Sequence, residues 1–271
     1  MVNKMKELEY KRIYLKNNYE IREYSTNKGN IIALFSNNAF LSFSFLDNDL
    51  IFDLCNNYLK LYDLPNYLYK EGNNYLVLGG GTFSYPKYYI KNYKDKMMTV
   101  VEIDKYCIDL SKKYFFLDEL YKTYDSNNER LNIIIDDAIK YINTCTIKYD
   151  YILLDLFYGE DIVKEAYTQE NLKQLKKLLK DKGIIIINYI INDNNYIRSK
   201  KELYYLTTIT KYHKFITLKE NYDFNNNIGN VLGILSDEKI EMPSILNTID
   251  ITNIILKRIN NLIWQNMIHI V

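Results

Sequence analysis

The sequence predicts an α/β protein: a mostly parallel sheet covered by helices on both faces, preceded by a small antiparallel β unit. Three observations predict it. From residue 74 onward, short runs of β-branched and leucine residues alternate with helical patterns, as in strands buried on both faces. Before that, residues 10–46 alternate apolar and polar residues around a Gly29-Asn30 break. Between the two lies "YLVLGGGTFSYPKYYI", where three of the nine glycines stand together between an apolar strand and a helix start.

The elements follow in order. "YEIREYS", "IIALF" and "FLSFSFL" read as three or four antiparallel strands, and residues 1–47 as one small β unit. "DLIFDLCNNYLKLYDLP" has apolar residues at Ile51, Leu54, Cys55, Tyr58, Leu59 and Leu61, a helical spacing that starts near an Asp cap and stops at Pro65. The remainder, 48–271, reads as the larger α/β domain. Its strands are "YLVLGG", "MMTVVEID", "LNIIIDDA", "YDYILLDLF" and "IIIINYI". Helices are expected in "YPKYYIKNY", in "KYCIDLSKKYFF" and in "TQENLKQLKKLLKDKG", the last ending at Gly183. A helix near 198–211, strands "KFITL" and "NVLGILS" around an Asn-rich loop at 224–228, and a helix near 249–263 complete the pattern.

Composition bounds the function. Hydrophobic residues make up 48% and charged residues 25%, a folded composition, and the net charge of +1 gives no electrostatic case for nucleic acid. The 28 tyrosines travel with heavy use of Asn, Lys and Ile, so tyrosine count alone carries no functional signal. Three dispersed cysteines, Cys55, Cys107 and Cys145, make no disulfide framework and fit a reducing compartment. With His213 and His269 as the only histidines, no zinc spacing exists and no metal site is expected. The first residues are polar, and the longest apolar run, 184–191, is too short for a membrane span. The expectation is a soluble, cytoplasmic protein with no membrane or nucleic-acid partner.

The glycine turn points to a ligand. Glycines let the backbone turn tightly and admit a ligand with no Cβ in the way, and the first-turn N–H groups of the next helix then face it. Ser84 is placed to cap that helix and Pro86 suits its first turn. Gly79, Gly80, Gly81 and the following Thr82 are therefore candidate ligand contacts. Glu102 stands 21 residues after Gly81, at the tip of the second strand with Ile103, where a carboxylate takes both hydroxyls of a ribose. The third strand ends in Asp136-Asp137-Ala138 and the fourth in Asp155. Several acidic strand ends along one edge repel a pyrophosphate and suit a cationic adenosine ligand. That favours S-adenosylmethionine over a nicotinamide dinucleotide. The bland alternatives are a ligand-free strand–helix turn at the glycines, turn chemistry at Asp136 and Asp137, and a strand-end carboxylate at Asp155 bonding loop amides.

Together "LVLGGGTFSYPKYY", "VVEID", "IIIDDAIKYI", "YDYILLDLF" and "LKQLKKLLKDKGIIIINYI" resemble the spermidine synthase-like family of class I S-adenosylmethionine-dependent transferases. The resemblance covers residues 74–191. It implies a Rossmann-like class I methyltransferase fold, a seven-stranded, mostly parallel sheet with an antiparallel last strand. It also implies that Gly79, Gly80 and Gly81 pass the methionine-derived tail, Glu102 holds the ribose, Asp137 takes the adenine amino group beside Ala138, and Asp155 is the catalytic acid–base. Pairing of relatives through their N-terminal unit implies a homodimer.

Departures from the family pattern qualify the chemistry. Aminopropyl-transferring relatives carry an Asp after the three glycines, where this chain has Thr82-Phe83. The DSSDP-like stretch reads Asp155-Leu156-Phe157-Tyr158, and no Tyr-His-Glu stretch is present. Loss of the carboxylate at position 82 removes a charge that repels the carboxylate of intact S-adenosylmethionine. The sequence therefore favours methyl transfer to a small-molecule acceptor, with Asp155 as base and Tyr158 orienting the acceptor, an amine being one candidate. The alternatives are aminopropyl transfer from decarboxylated S-adenosylmethionine and nucleoside binding without catalysis. Leu156 and Phe157 are expected to raise the Asp155 pKa.

Overall fold

Asparagine pairs make the first hairpins. Asn17-Asn18 joins β1 (Lys11–Lys16) to β2 (Tyr19–Thr26), and Asn37-Asn38 joins β3 (Gly29–Ser36) to β4 (Ala39–Phe45). All four asparagines have positive φ. Two-residue turns of that kind match the twist of the flanking strands, and Asn tolerates the conformation. The four strands form one antiparallel sheet in sequence order. The computed structural model describes residues 9–26, 29–55, 57–159, 161–192, 195–216, 222–223 and 228–240.

The larger sheet is built from β5 (Asn74–Leu78), β6 (Met97–Glu102), β7 (Leu131–Ile135), β8 (Tyr149–Leu154), β11 (Leu179–Ile191), β12 (Tyr212–Ile216) and β14 (Ile228–Ser236). Between β8 and β11 lies a two-stranded hairpin, β9 (Phe157–Tyr158) with β10 (Asp161–Ile162), and the short β13 (Tyr222–Asp223) pairs with β14. The strand order is β12-β14-β11-β8-β5-β6-β7. Only β14 runs antiparallel to both its neighbours, so the sheet is the seven-stranded, mostly parallel α/β sheet with an antiparallel last strand. Alternate residues feed two cores. Tyr75, Val77, Tyr151, Leu153, Ile184 and Ile186 pack on one face, and Leu76, Leu78, Ile152, Leu154, Ile185 and Ile187 on the other. Both faces being covered is why the strands read as continuous apolar runs.

The helices are α1 (Asn57–Leu61), α2 (Leu64–Leu68), α3 (Ser84–Asn92), α4 (Lys105–Tyr114), α5 (Leu117–Tyr124), α6 (Ala138–Thr144), α7 (Gln169–Lys177) and α8 (Tyr196–Thr207). Four expectations are corrected. The single helix stopped by Pro65 is two short helices, and Pro65 sits in the first turn of α2, where a missing N–H costs nothing. Ser84 does not cap α3. Phe83 occupies that position in a left-handed conformation, and Ser84 Oγ donates to Phe43 O of β4 at 3.0 Å. The helix expected to reach Gly183 ends at Lys177, because Leu179 already pairs with Tyr149 of β8. The register then shifts before Ile184, around Lys182 at φ +64°. The helix expected over 198–211 runs from Tyr196 to Thr207. The helix expected near 249–263 lies outside the described residues. Among the described residues no helix is long and apolar enough to cross a membrane.

Candidate active site

The strand order reverses between β5 and β8, leaving a crevice at their carboxyl ends, the position at which sheets of this type bind ligands. Gly79 ends β5 there with φ +97° and donates its N–H to Val101 O at 2.9 Å. A Cβ on Gly79 would overlap the Asp155 carbonyl oxygen. A Cβ on Gly80 would stand 2.9 Å from Phe83 Cζ. The protein itself thus occupies the space at the first two glycines. At Gly81, φ +51°, a Cβ would meet nothing nearer than Ser42 Cβ at 3.9 Å, so this glycine alone opens outward.

Glu102 holds the loop. Its Oε2 accepts the Gly80 N–H at 2.8 Å and the Gly81 N–H at 3.2 Å, and its Oε1 accepts the Asp104 N–H at 2.9 Å. Three amides aim one carboxylate at the strand tip. Ile103 beside it is 66% exposed. Asp104 caps α4 through the Tyr106 N–H at 2.8 Å and also accepts the Tyr19 hydroxyl from β2. Thr82 is fully buried and faces away from the solvent edge. Its hydroxyl donates to Ser42 Oγ of β4 at 2.8 Å and lies 3.0 Å from Ser84 Oγ. Asp137 caps α6, accepting the Lys140 N–H at 2.9 Å, and Ala138 is the buried first residue of that helix. Asp136 pairs with the Lys140 ammonium at 2.9 Å, which holds its carboxyl below the ordinary carboxylate value.

Asp155 follows β8 directly, its N–H donating to Leu78 O at 3.0 Å. Burial pushes its carboxyl up to about 6, against the Asn188 amide and the nearby Tyr62 hydroxyl, which pull it down. Asn188 Nδ2 donates to Asp155 Oδ1 at 2.9 Å. The ring of Tyr62 is buried, and among the described residues its hydroxyl meets no partner at hydrogen-bond geometry. Tyr58 also lies within the field of Asp155, and burial holds both phenols above their ordinary pKa, so they stay neutral. Tyr158 stands apart. It is 85% exposed on the β9–β10 hairpin opposite Asp161, and no hydrogen bond joins it to Asp155.

Three residues at this site escaped the sequence reading. Asn188 left a signal, a lone polar residue inside the apolar run 184–191 that belongs to a buried strand. Tyr58 and Tyr62 left none, because tyrosine is common everywhere in this chain and their apolar spacing predicts one helix where the chain makes two. Among the described residues no cluster of three or more His, Cys, Asp or Glu side chains is arranged to hold a metal ion.

Known proteins resemble this chain in sequence and in fold. The polyamine aminopropyltransferase of Vibrio vulnificus is 34% identical over 116 residues, 42% of this chain and 36% of that protein. That of Methanocaldococcus jannaschii is 31% identical over 123 residues, 45% of this chain and 41% of that protein. The match therefore spans about two fifths of these relatives' length. Among solved structures, a probable spermidine synthase from Corynebacterium glutamicum superposes with a TM-score of 0.69 at 18% identity, covering 86% of this chain and 85% of that one. Human methyltransferase-like protein 13, solved with SAH, gives 0.58 at 18% identity, covering 78% and 94%. These structural likenesses establish the Rossmann-like methyltransferase fold. The model of the spermine/spermidine synthase domain matches residues 59–216, more than half of the chain, and the chain belongs to that family.

Proposed function

We propose that this protein is an aminopropyltransferase, moving the aminopropyl group of decarboxylated S-adenosylmethionine to a small amine. The observation that carries the reading is the pair formed by Asp155 and Tyr62 at the crevice: a carboxyl raised toward neutrality beside a buried, unpartnered hydroxyl. A buried polar group without a partner calls for an explanation, and a ligand atom supplies one. The similarity to polyamine aminopropyltransferases supports the same chemistry. This reverses the preference for methyl transfer drawn from the sequence, to which the relatives' names lend no support.

In this reading Glu102 takes the ribose hydroxyls, its carboxylate already aimed by three amides. Gly81 lets the donor tail pass, Ile103 and Ala138 flank the adenine ring, and Asp137 takes its amino group. Asp155 receives the proton of the acceptor ammonium. The freed nitrogen lone pair then attacks the donor carbon next to the sulfonium, a new C–N bond forms, and the C–S bond breaks with its electron pair left on sulfur. The leaving thioether needs no acid, so the protein's contribution is orientation, a dry site and one base. Tyr58 and Tyr62 wall the acceptor side, the task first assigned to Tyr158.

A second reading keeps one specific observation. Thr82 replaces the family's tail-binding Asp and turns its hydroxyl into the small sheet, so this loop presents no carboxylate to a donor amine. Methyl transfer from intact S-adenosylmethionine tolerates that loss better. The test is product analysis with both donors over a panel of mono-, di- and triamines. Methylthioadenosine formed from the decarboxylated donor is the expected result. S-adenosylhomocysteine formed from the intact donor would replace aminopropyl with methyl transfer.

A further inference from the structure

The carboxyl edge of one sheet face carries three polar side chains in a row. The β8–β11 register pairs Leu154 with Ile187, so the next residues, Asp155 and Asn188, stand side by side. In the antiparallel β11–β14 pair, Asn188 faces Leu232 and Ile190 faces Asn230, which sets Asn230 diagonally beside Asn188 on the same face. Asn188 Nδ2 donates to Asp155 Oδ1 at 2.9 Å, and Asn230 Nδ2 donates to Asn188 Oδ1 at 2.9 Å. Asn188 is buried, and below it the face is apolar: Leu153, Ile186 and Leu232. Nothing in the sheet requires two amides there. Backbone pairing already satisfies the strands, and the Asn188 backbone carbonyl additionally accepts the Tyr167 hydroxyl at 3.3 Å.

We propose that Asn230 and Asn188 form an amide relay that fixes the rotation of the Asp155 carboxyl, making Asn188 the positioning residue for that group. The direction of the chain follows from chemistry. A carboxylate only accepts, so Asn188 must present its NH₂ to Asp155, which leaves its carbonyl toward β14. Asn230 donates to that carbonyl and forbids the flipped amide, whose oxygen would face a carboxylate. With Oδ1 engaged, Oδ2 is the oxygen turned to an incoming ammonium. The remaining titratable neighbours of Asp155 are phenols from the other packed elements: Tyr58 and Tyr62 at α1, and Tyr167 ahead of α7. All are held neutral by burial, so among the described residues no other charge competes with the relay for the carboxylate.

This inference rests on the reading of Asp155 as proton acceptor, and the experiment separates the two. In full-length protein with ¹³C-carboxyl-labelled aspartate, the Asp155 resonance is assigned by its disappearance in Asp155→Asn. Asn188→Ala should raise its titration midpoint by about one pH unit, the size expected for one lost charge-assisted hydrogen bond. The near-isosteric Asn188→Asp should raise it further by placing a like charge alongside, and Asn230→Ala should raise it less. With turnover in hand, the acid limb of the rate profile should follow the same order. In Asn188→Ala kcat should fall about tenfold with KM unchanged, as for a misplaced base. A midpoint unmoved in both Asn188 variants would overturn the relay, whatever happens to their melting temperatures. Absence of turnover with every amine would count against the aminopropyl reading and leave the carboxyl titration to decide the relay.

Discussion

Strand β8 has an aspartate at each end, and the fold treats the two in opposite ways. At the amino end, Asp150 Oδ2 accepts the N–H groups of Asn73 and Asn74 at 3.0 and 2.9 Å and pairs with the Lys180 ammonium at 2.9 Å. Although burial pushes the Asp150 carboxyl up, those partners outweigh it and leave the group below the ordinary value. The same edge holds Asp125, which accepts the N–H groups of Glu129, Arg130 and Leu131. At the carboxyl end, Asp155 has one neutral amide donor at 2.9 Å and, among the described residues, no cation, and burial wins. Saturated carboxylates hold loops in place. A carboxylate with donors missing has capacity for something that arrives from outside.

The largest expected effect breaks that comparison if it is wrong. Asp155→Asn should lower turnover by about 10²–10⁴-fold, the usual worth of a positioned base. The same variant should melt no lower than the parent at pH 7.5. The sign follows from linkage. A carboxyl raised to about 6 binds more protons in the folded state between its unfolded value near 4 and 6. Its ionisation therefore costs stability as pH rises through that window. Removing the charge removes the cost. A clear loss of melting temperature with turnover intact would make Asp155 a structural residue like Asp150.

Next in size is Glu102→Ala, expected to weaken binding of the adenosine ligand about a hundredfold by titration calorimetry, as two hydrogen bonds to a charged group are lost. This carboxylate lies between the two extremes. It is held by three amides yet stands at the crevice, and binding unchanged by the substitution would place it with Asp150. At the far end, Asp150→Ala should cost about 1–3 kcal/mol in urea unfolding while leaving kcat within a few-fold. Its contribution runs opposite in pH to that of Asp155. A carboxyl held below its unfolded value stabilises above that value and loses the stabilisation as pH falls through the lowered one. The parent should therefore lose its advantage over Asp150→Ala on acidification, by melting temperature against pH.

The same contrast explains what was legible in the sequence. Strands buried on both faces leave apolar runs, so β5, β6, β7, β8 and β11 are legible, and with them the acidic residues that close β6, β7 and β8. Ligand geometry is less local. The glycines at 79 and 80 read as ligand space, but Gly79 is bare because the Asp155 carbonyl crosses it and Gly80 because Phe83 packs there. Those contacts join residues far apart in sequence. Thr82 read as facing the donor tail, yet β4 draws its hydroxyl into the small sheet through Ser42. Tyr158 read as an active-site neighbour because it follows Asp155 by three positions, whereas the hairpin turns it out to solvent and α1 brings Tyr58 and Tyr62 in instead. Capping failed at Ser84 for the same reason: the hydroxyl prefers a carbonyl of another element to its own helix.

Lys87 carries the smallest predicted effect and the sharpest test of the idea that a charge short of partners marks a site. It is fully buried in α3, donating to Ser44 Oγ at 3.2 Å and to Phe115 O, with no carboxylate among its described partners. Burial pulls the amine down to about 7, and the thiol of Cys55 is the one acidic group acting on it. A neutral amine still has two N–H groups for these two acceptors, so nothing here calls for a ligand. The folded state binds fewer protons than the unfolded chain between pH 7 and 10.5, so this group makes stability rise with pH across that window. At pH 6 folding must either protonate a buried amine or exclude its proton, and both cost free energy. Lys87→Met keeps the apolar stem and removes the charge. It should stabilise the protein by about 1 kcal/mol or more at pH 6, and that advantage should shrink as pH rises toward 10.5, above which the lost hydrogen bonds are all that remains. Activity should be unchanged at either pH. A fall in turnover at unaltered stability would show that this lysine, too, serves the crevice, and that missing partners mark function on cations as well as on carboxylates.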